Sequence, residues 1–397
     1  MPFPTIKVSR RAADRLRQGH IWVYRSDLIS KEIFPPGSLL NISDERGKPL
    51  GAAFYSSSSE ISLRLISSRA LADEAALWDL LRARVRAAAE YRLKIVRDSN
   101  AYRVIFSEAD RLPGFIADRY NSVLSIQTLT QAMDRPELKN LIINTLFEAL
   151  APAGVTSVVE RVEPRIRELE HLPEVAGGLL RGSESSAIFT MNGIRFHYDS
   201  AAGQKTGAFL DQRENYAAAA ERAHGAALDV FCYQGGFALH LARSCSSVTA
   251  LDSSRPALEV AERNEKLNPG AAEIEWVEGN AFDYLKDKSA LGPQYDSIVL
   301  DPPAFAKNKR SLDTAMRGYK ELNLRALKML RPAGLLVTCS CSYHVSDADF
   351  LQMLTSAAAD THKTLRLLEQ RSQSLDHPIL LNIPESRYLK CLICELV

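Results

Sequence analysis

Three stretches in the C-terminal third of the chain combine residue types that could do chemistry: LDVFCYQGGF at 228–237, LDPPAF at 300–305 and TCSCS at 338–342. The first reads as a strand carrying Asp229 that runs into a Gly235-Gly236 turn, where missing side chains let backbone approach a ligand. The second sets Asp301 and two prolines just past an apolar strand. Prolines fix one loop shape and remove donors, leaving carbonyls to face a substrate. Phe305 in the same loop offers a stacking surface for an extruded base. The third ends a strand in Cys339 and Cys341, and Cys341, beyond the apolar part, is expected to be the more exposed. A carboxylate and a thiol beside a nucleotide-type site are equipment for methylating a pyrimidine carbon.

The thiol matters because C5 of a pyrimidine is too weak a nucleophile to take a methyl group unaided. A thiolate adding to C6 turns the ring into an enamine-like species, and covalent catalysis of this kind splits one hard step into easier ones. Cys341 is the expected nucleophile, and Asp301 the expected acid that protonates or hydrogen-bonds N3. A free cysteine is more often a buried packing residue. The strand-end position is what favours the chemical reading.

Asp252 ends the following strand, where a carboxylate can accept both ribose hydroxyls of an adenosine. Asn280, in EGNAFDYL at 278–285, stands where an amide could meet an adenine edge. Taken singly these are a turn and an exposed acid, and Asn is a common turn former. Their order along successive strands outweighs that. No GxGxxG is present, so a pyrophosphate cradle is not expected. S-adenosylmethionine is the expected cofactor, because nothing here is arranged for phosphates. The six cysteines include two close pairs but no four-ligand pattern, so no metal is expected. CLICELV at 391–397 reads as a final core strand, and His344 and His377 as structural.

The elements that must position these residues follow from periodicity. From about Ser186, AALDVF, SVTALD, IEWVEG, DSIVLD and GLLVTC alternate with helical stretches such as RPALEVAERNEKL, which argues for a parallel sheet with helices on both faces. Ligands on such sheets sit outside the carboxyl ends of the strands, where all the motifs fall. Residues 1–70 read as short strands of a small β-barrel with one helix from Ser9 to Gln18. A strong helix is expected over 73–90, strand pairs around a Leu-Pro-Gly turn in 102–130, and another helix over 137–150, in an α+β unit ending near Gly182. The expected domains are 1–72, 73–185 and 186–397.

With 397 residues, 46% hydrophobic and 24% charged, the chain is ordinary globular material for two or three domains. It has no apolar run long enough for a membrane span and its start lacks an apolar signal segment, so a cytoplasmic protein without a membrane partner is expected. Net charge is only +1, but from Lys7 to Lys31 seven Lys or Arg face only Asp14 and Asp27. Residues 82–97 carry six basic residues against Glu90. Such patches suit RNA phosphates, with Arg10, Arg11, Arg15 and Arg17 as expected contacts, although solvated helix faces look the same.

Taken together, GHIWVYRSDL (19–28), EADRLPGFIADRY (108–120), TGAFLDQREN (206–215), LDVFCYQGGFALHLA, DPPAFAKNK, RGYKELN, TCSCS and DHPILLNIPESRYLK resemble, in order, the bacterial 23S ribosomal RNA cytosine-C5 methyltransferases that carry an N-terminal PUA domain. The resemblance spans nearly the whole chain. It implies a PUA barrel, a central α+β domain and a Rossmann-like class I methyltransferase domain. It implies S-adenosylmethionine near Asp229, Gly235, Asp252, Asn280 and Asp301, with Gln212 and Arg213 lining the approach. The family's motif cysteine matches Cys341. Pro302-Pro303 stands where some cytosine methyltransferases carry a second cysteine, and Asn280 where relatives tend to have Asp. The partner implied is ribosomal RNA, with a homodimer left open.

Two other readings compete. An RNA N-methyltransferase acting on guanine or adenine would hold an amine or ring nitrogen in the Asp-Pro-Pro-x-Phe loop and leave Cys341 idle. A noncatalytic RNA-binding protein would have no use for an intact Gly235-Gly236 turn and an aligned Asp252.

Overall fold

The computed structural model describes residues 3–30, 32–201, 208–306 and 309–397. Lys31 of the basic cluster and parts of two quoted motifs, residues 206–207 and 307–308, lie outside these. By contacts the chain divides into two compact units, one of Met1–Phe189, Tyr198–Gly207 and Leu375–Ser386, the other of Thr190–His197, Ala208–Ser374 and Arg387–Val397. Among the described residues, no helix is long and apolar enough to cross a membrane.

The first unit begins with a five-stranded sheet in the order Thr5–Lys7, Leu39–Ser43, Pro49–Tyr55, Ile61–Ser67, Trp22–Tyr24. The helix Arg10–Arg17 starts where Ser9 Oγ accepts the Ala12 N–H, and it buries Ala12, Ala13 and Leu16 against Ile6, Val23 and Ile42. The long helix Glu74–Ile95, capped by Asp73, then packs Leu77, Leu81 and Val85 into one core with Leu138, Ile142 and Leu146 of the helix Pro136–Leu150. A second five-stranded sheet runs Gly178–Arg181, Ser157–Glu160, Val123–Thr128, Phe115–Tyr120, Ala101–Phe106. The Leu-Pro-Gly turn expected there is present, and Gly114 at φ +84° is required because a Cβ would lie 2.3 Å from Thr130. Arg92 is fully buried and spans Asp110 with both Nη atoms.

The structure departs from the expected alternation at Ser186. Ser186–Met191 and Ile194–Asp199 form a two-stranded sheet instead. Asn192 and Gly193 join them at φ +52° and +76°, the backbone that a tight hairpin demands. Alternating burial of Phe189, Met191, Ile194, Phe196 and Tyr198 is the period of a half-buried strand.

The second unit is an α/β sheet of seven strands in the order Ile274–Glu278, Ser247–Asp252, Ala226–Val230, Tyr295–Leu300, Leu330–Ser340, Lys390–Leu396, Leu365–Arg371. The first five are parallel, Lys390–Leu396 runs antiparallel to them, and Leu365–Arg371 pairs antiparallel with Lys390–Leu396 at the edge. The chain leaves Ala226–Val230 first to one side and later to the other. A crevice therefore opens at the carboxyl end of that strand, the topological switch point. The N-terminal small β domain and the Rossmann-like sheet match the fold class expected from sequence.

Candidate active site

The turn after the central strand is tightly wound. Phe231, Tyr233 and Gly235 have φ of +69°, +50° and +85°. Two non-glycine residues in the left-handed region within five positions is strain of the kind that collects at functional sites. It is held by the Phe231 and Cys232 N–H groups donating to Leu251 O at 2.9 and 3.0 Å, and by the Tyr233 N–H donating to Asp252 Oδ2 at 2.9 Å. The glycines make room for the protein itself. A Cβ on Gly236 would meet Tyr216 at 2.5 Å, and one on Gly235 would meet Trp276 at 2.8 Å. Neither neighbour was among the residues singled out by sequence.

Asp229 lies wholly beneath this turn. Its Oδ2 accepts the Ala238 N–H at 2.8 Å, while Oδ1 is buried without a partner. Burial, then repulsion from Asp301 and Asp252, pushes its carboxyl well above the usual range. The folded protein therefore binds a proton here that the unfolded chain releases, so this contribution to stability is full at low pH and fades as pH rises through the raised value. In Asp229→Asn the amide keeps the acceptor for Ala238 and has no charge to bury. The thermal midpoint of the variant should exceed that of the wild type by more at pH 9 than at pH 4, near the value of the unfolded carboxyl. An equal offset at both pH values in melting curves would show that Asp229 carries no such penalty.

Asp252 Oδ1 accepts the Ser254 N–H at 2.9 Å, so with Tyr233 on Oδ2 this carboxylate ties two strand-end turns together. Asn280 caps the helix Ala281–Ser289 through Oδ1, at 2.9 Å from Phe282 N and 3.3 Å from Asp283 N. That leaves its Nδ2 group as the part available to a ligand. Gln212 is buried, and its Nε2 donates to Asp301 Oδ1 at 3.0 Å while its Oε1 accepts from Asn215 at 2.7 Å. It therefore fixes Asp301. Arg213 is also buried and reaches Glu214 at 3.0 Å. Asp229, Asp252 and Asp301 converge at the ends of three adjacent strands. The carboxylates of Asp252 and Asp301 make this strand end unfavourable for phosphates and favourable for a cationic ligand. The partnerless Oδ1 of Asp229 is a buried polar atom still open to a hydrogen bond. Among the described residues, no group of His, Cys, Asp and Glu is arranged to hold a metal ion.

At the thiol end, Ser340 and Ser342 are both fully buried. Their hydroxyls meet the Tyr319 hydroxyl at 3.0 and 2.9 Å, and Ser342 Oγ also accepts the Ala306 N–H at 3.1 Å. With the flanking serines turned in, alternation turns Cys341 to the other side, where it is part-exposed with Sγ 3.9 Å from Pro302 O. Cys339 is on the same face one step back, buried beside its cross-strand neighbour Cys391, and burial pushes its thiol well up. Phe305 is half-buried, with its ring 4.8 Å from Tyr319 and 6.1 Å from Phe282, so it belongs to an aromatic cluster as well as to the loop.

The basic residues of the N-terminal helix sit elsewhere in the chain's organisation. Arg11 and Arg15 both bind the buried Asp27, at 2.8 and 2.7 Å, and Arg17 binds Asp44. Burial would raise the Asp27 carboxyl, but hydrogen bonds from Arg11 and Ser9 and the charge of Arg15 hold it below its ordinary value. Arg10 is the most open of the four, with its side chain 88% exposed and only a 3.8 Å contact to Asp14.

Residues 110–380 match the family of S-adenosylmethionine-dependent methyltransferases, and residues 6–68 match a PUA-like domain. The chain belongs to the S-adenosylmethionine-dependent methyltransferase family. This methyltransferase is 36% identical over 391 residues to the ribosomal RNA large subunit methyltransferase I of Pseudoalteromonas translucida, covering 96% of each chain. It is 34% identical over 388 residues to the protein of the same name from Photobacterium profundum, again with 96% of each covered. Its fold superposes on a solved structure of a protein assigned as a methyltransferase, in complex with SAH, with a TM-score of 0.83 at 18% identity over 99% of this chain and 100% of that one. S-adenosylmethionine is therefore the methyl donor of this methyltransferase.

Lys390 is a functional candidate that motif and spacing do not reveal, although a lysine near the start of the apolar run LKCLICELV is itself a signal. It is 4% exposed and lies across from Ser340 in the sheet register.

Proposed function

We propose that this methyltransferase forms 5-methylcytidine in the 23S RNA of the large ribosomal subunit through a covalent bond between Cys341 and C6 of the base. One observation carries the reading: a part-exposed cysteine stands at the end of a parallel strand, against the carbonyl of Pro302 in the Asp-Pro-Pro loop. Nitrogen methylation has no use for that thiol. The relatives named ribosomal RNA large subunit methyltransferase I, matched over 96% of the chain, support the substrate class.

In this reading Asp229, Gly235, Gly236 and Asp252 hold S-adenosylmethionine. Asn280 donates its amide to the adenine edge, and Arg213 lines the approach. The bound cofactor supplies a methyl group on a sulfonium. Cys341 as thiolate adds to C6, opening the C5–C6 double bond and making C5 the nucleophile. Asp301, fixed by Gln212, acts as an acid: its carboxyl O–H donates its proton to N3 as the adduct forms and takes it back when the ring is restored. Once C5 is methylated, its proton passes to solvent water, the C5–H electron pair re-forms the C5–C6 double bond, and the C6–S bond breaks to release the thiolate. Phe305 stacks on the extruded base. Digesting 23S RNA after incubation with enzyme and isotopically labelled cofactor should give labelled 5-methylcytidine. A labelled methylguanine or methyladenine nucleoside would overturn the proposal.

The PUA-like domain would hold the RNA through phosphates, placing the work in the cytoplasm where ribosomes are assembled. Affinity for a 23S fragment should fall with salt, and neutralising Arg10, Arg11, Arg15 and Arg17 should flatten the log–log slope by roughly 0.7–0.9 for each lost phosphate contact. Arg10→Gln alone tests the least entangled residue, since the other three also serve internal ion pairs. An unchanged slope in the fourfold variant, with cofactor affinity intact, would make this helix a solvated face only.

A further inference from the structure

We propose that Lys390 is a positioning residue for methyl transfer: its buried ammonium group fixes the turn that presents Cys341 and supplies the positive charge against which the thiolate forms. This rests on the reading of Cys341 as the nucleophile. Lys390 Nζ donates to Ser342 O at 2.7 Å and to Val345 O at 2.8 Å, the two carbonyls that bracket the turn just after Cys341. On the far side, the capping box of Ser346 and Asp349 anchors the same turn to the helix Asp347–Asp360. Lys390 therefore sits beneath the turn as its floor.

A structural tie alone would not need a charge. Among the described residues no carboxylate forms an ion pair with Lys390. Asp347, the nearest acidic influence, is occupied by Arg387 at 2.9 Å. A buried ammonium without a counter-ion is costly. Burial lowers its pKa to about 8, with Asp347 and Cys341 acting to raise it and Arg387 to lower it. The other titratable groups around the turn are Tyr343 and His344 on it, and Tyr319, whose hydroxyl holds Ser340 and Ser342. Of these groups, the Cys341 thiol is the one that becomes an anion during the proposed reaction. Ammonium and thiolate then offset each other, and the effect is lost as pH rises through the lysine's value and the ammonium discharges.

The test is alkylation of Cys341 by iodoacetamide in the full-length protein, followed by mass spectrometry of its peptide across pH. The wild-type midpoint should lie below the ordinary thiol value of about 8.5. In Lys390→Gln, which keeps an N–H donor but no charge, the midpoint should rise by about one unit, so alkylation near pH 7 slows roughly tenfold and converges with wild type at high pH. The pH profile of methyl transfer should move with it, while S-adenosylmethionine affinity, which reports the fold, stays put. A wild-type midpoint at or above the ordinary value overturns the proposal without recourse to any variant, and so does an identical midpoint in a folded Lys390→Gln protein. If the midpoint shifts but Cys341→Ala still methylates, the effect of Lys390 on the thiol stands and the nucleophile reading falls.

Discussion

Cys341→Ala should abolish methyl transfer while leaving both S-adenosylmethionine and RNA bound. Removing a covalent nucleophile from an assembled site costs on the order of 10⁴-fold or more in rate, because the remaining groups have nothing left to act on. Little structural loss is expected, since Cys341 is part-exposed and the turn is held by Ser340, Ser342, Tyr319 and Lys390. Cys339→Ala should keep substantial activity, because that thiol is buried against Cys391. The wild-type enzyme should also be trapped on RNA carrying 5-fluorocytidine at the target. Fluorine cannot leave C5 as a proton does, so the thioether at C6 persists through denaturing electrophoresis. The trapped band should vanish in Cys341→Ala and remain in Cys339→Ala. Methyl transfer by Cys341→Ala at a rate near wild type would sink the C5 mechanism and pass the argument to nitrogen methylation.

Asp252→Ala should weaken S-adenosylmethionine binding by roughly 10- to 100-fold, the equivalent of a lost charge-assisted hydrogen bond of about 1.5–3 kcal/mol. The geometry adds a second reason for a large effect. Asp252 also accepts the Tyr233 and Ser254 N–H groups, so its loss frees the strained turn that carries Gly235. Asp252→Asn separates the two roles, because its amide oxygen can still accept one of those N–H groups but the carboxylate charge proposed to face the ribose is gone. Calorimetry should rank affinity as wild type, then Asn, then Ala. Equal affinity across the series, in folded protein, would mean that the adenosine does not lie along this strand end.

The sequence by itself determined the elements and the ends at which chemistry could sit. The apolar runs ending in Asp229, Asp252, Asp301 and Cys341 alternate with helices, and such alternation has few solutions other than a parallel sheet with its ligands at the carboxyl ends. The position of Cys341 beyond its strand, and the lack of any phosphate cradle, were equally local facts. The hairpin at Ser186–Asp199 also has a local signature, Asn192-Gly193 and a two-residue period, which the stronger alternation that follows masks.

What only the tertiary structure decided is who stands behind each of these residues. Gly235 and Gly236 are glycines because Trp276 and Tyr216 occupy the space, and no spacing rule joins residue 236 to residue 216 across a sheet. Arg11 and Arg15 look like free phosphate ligands until Asp27 is brought beneath them. Lys390 reaches the turn of Cys341 because an antiparallel strand at the end of the chain is laid against one that closed 50 residues earlier. Periodicity reports which face a side chain takes. Partners set by long-range register have no trace in the local pattern, because burial and hydrogen bonding are properties of the assembled core.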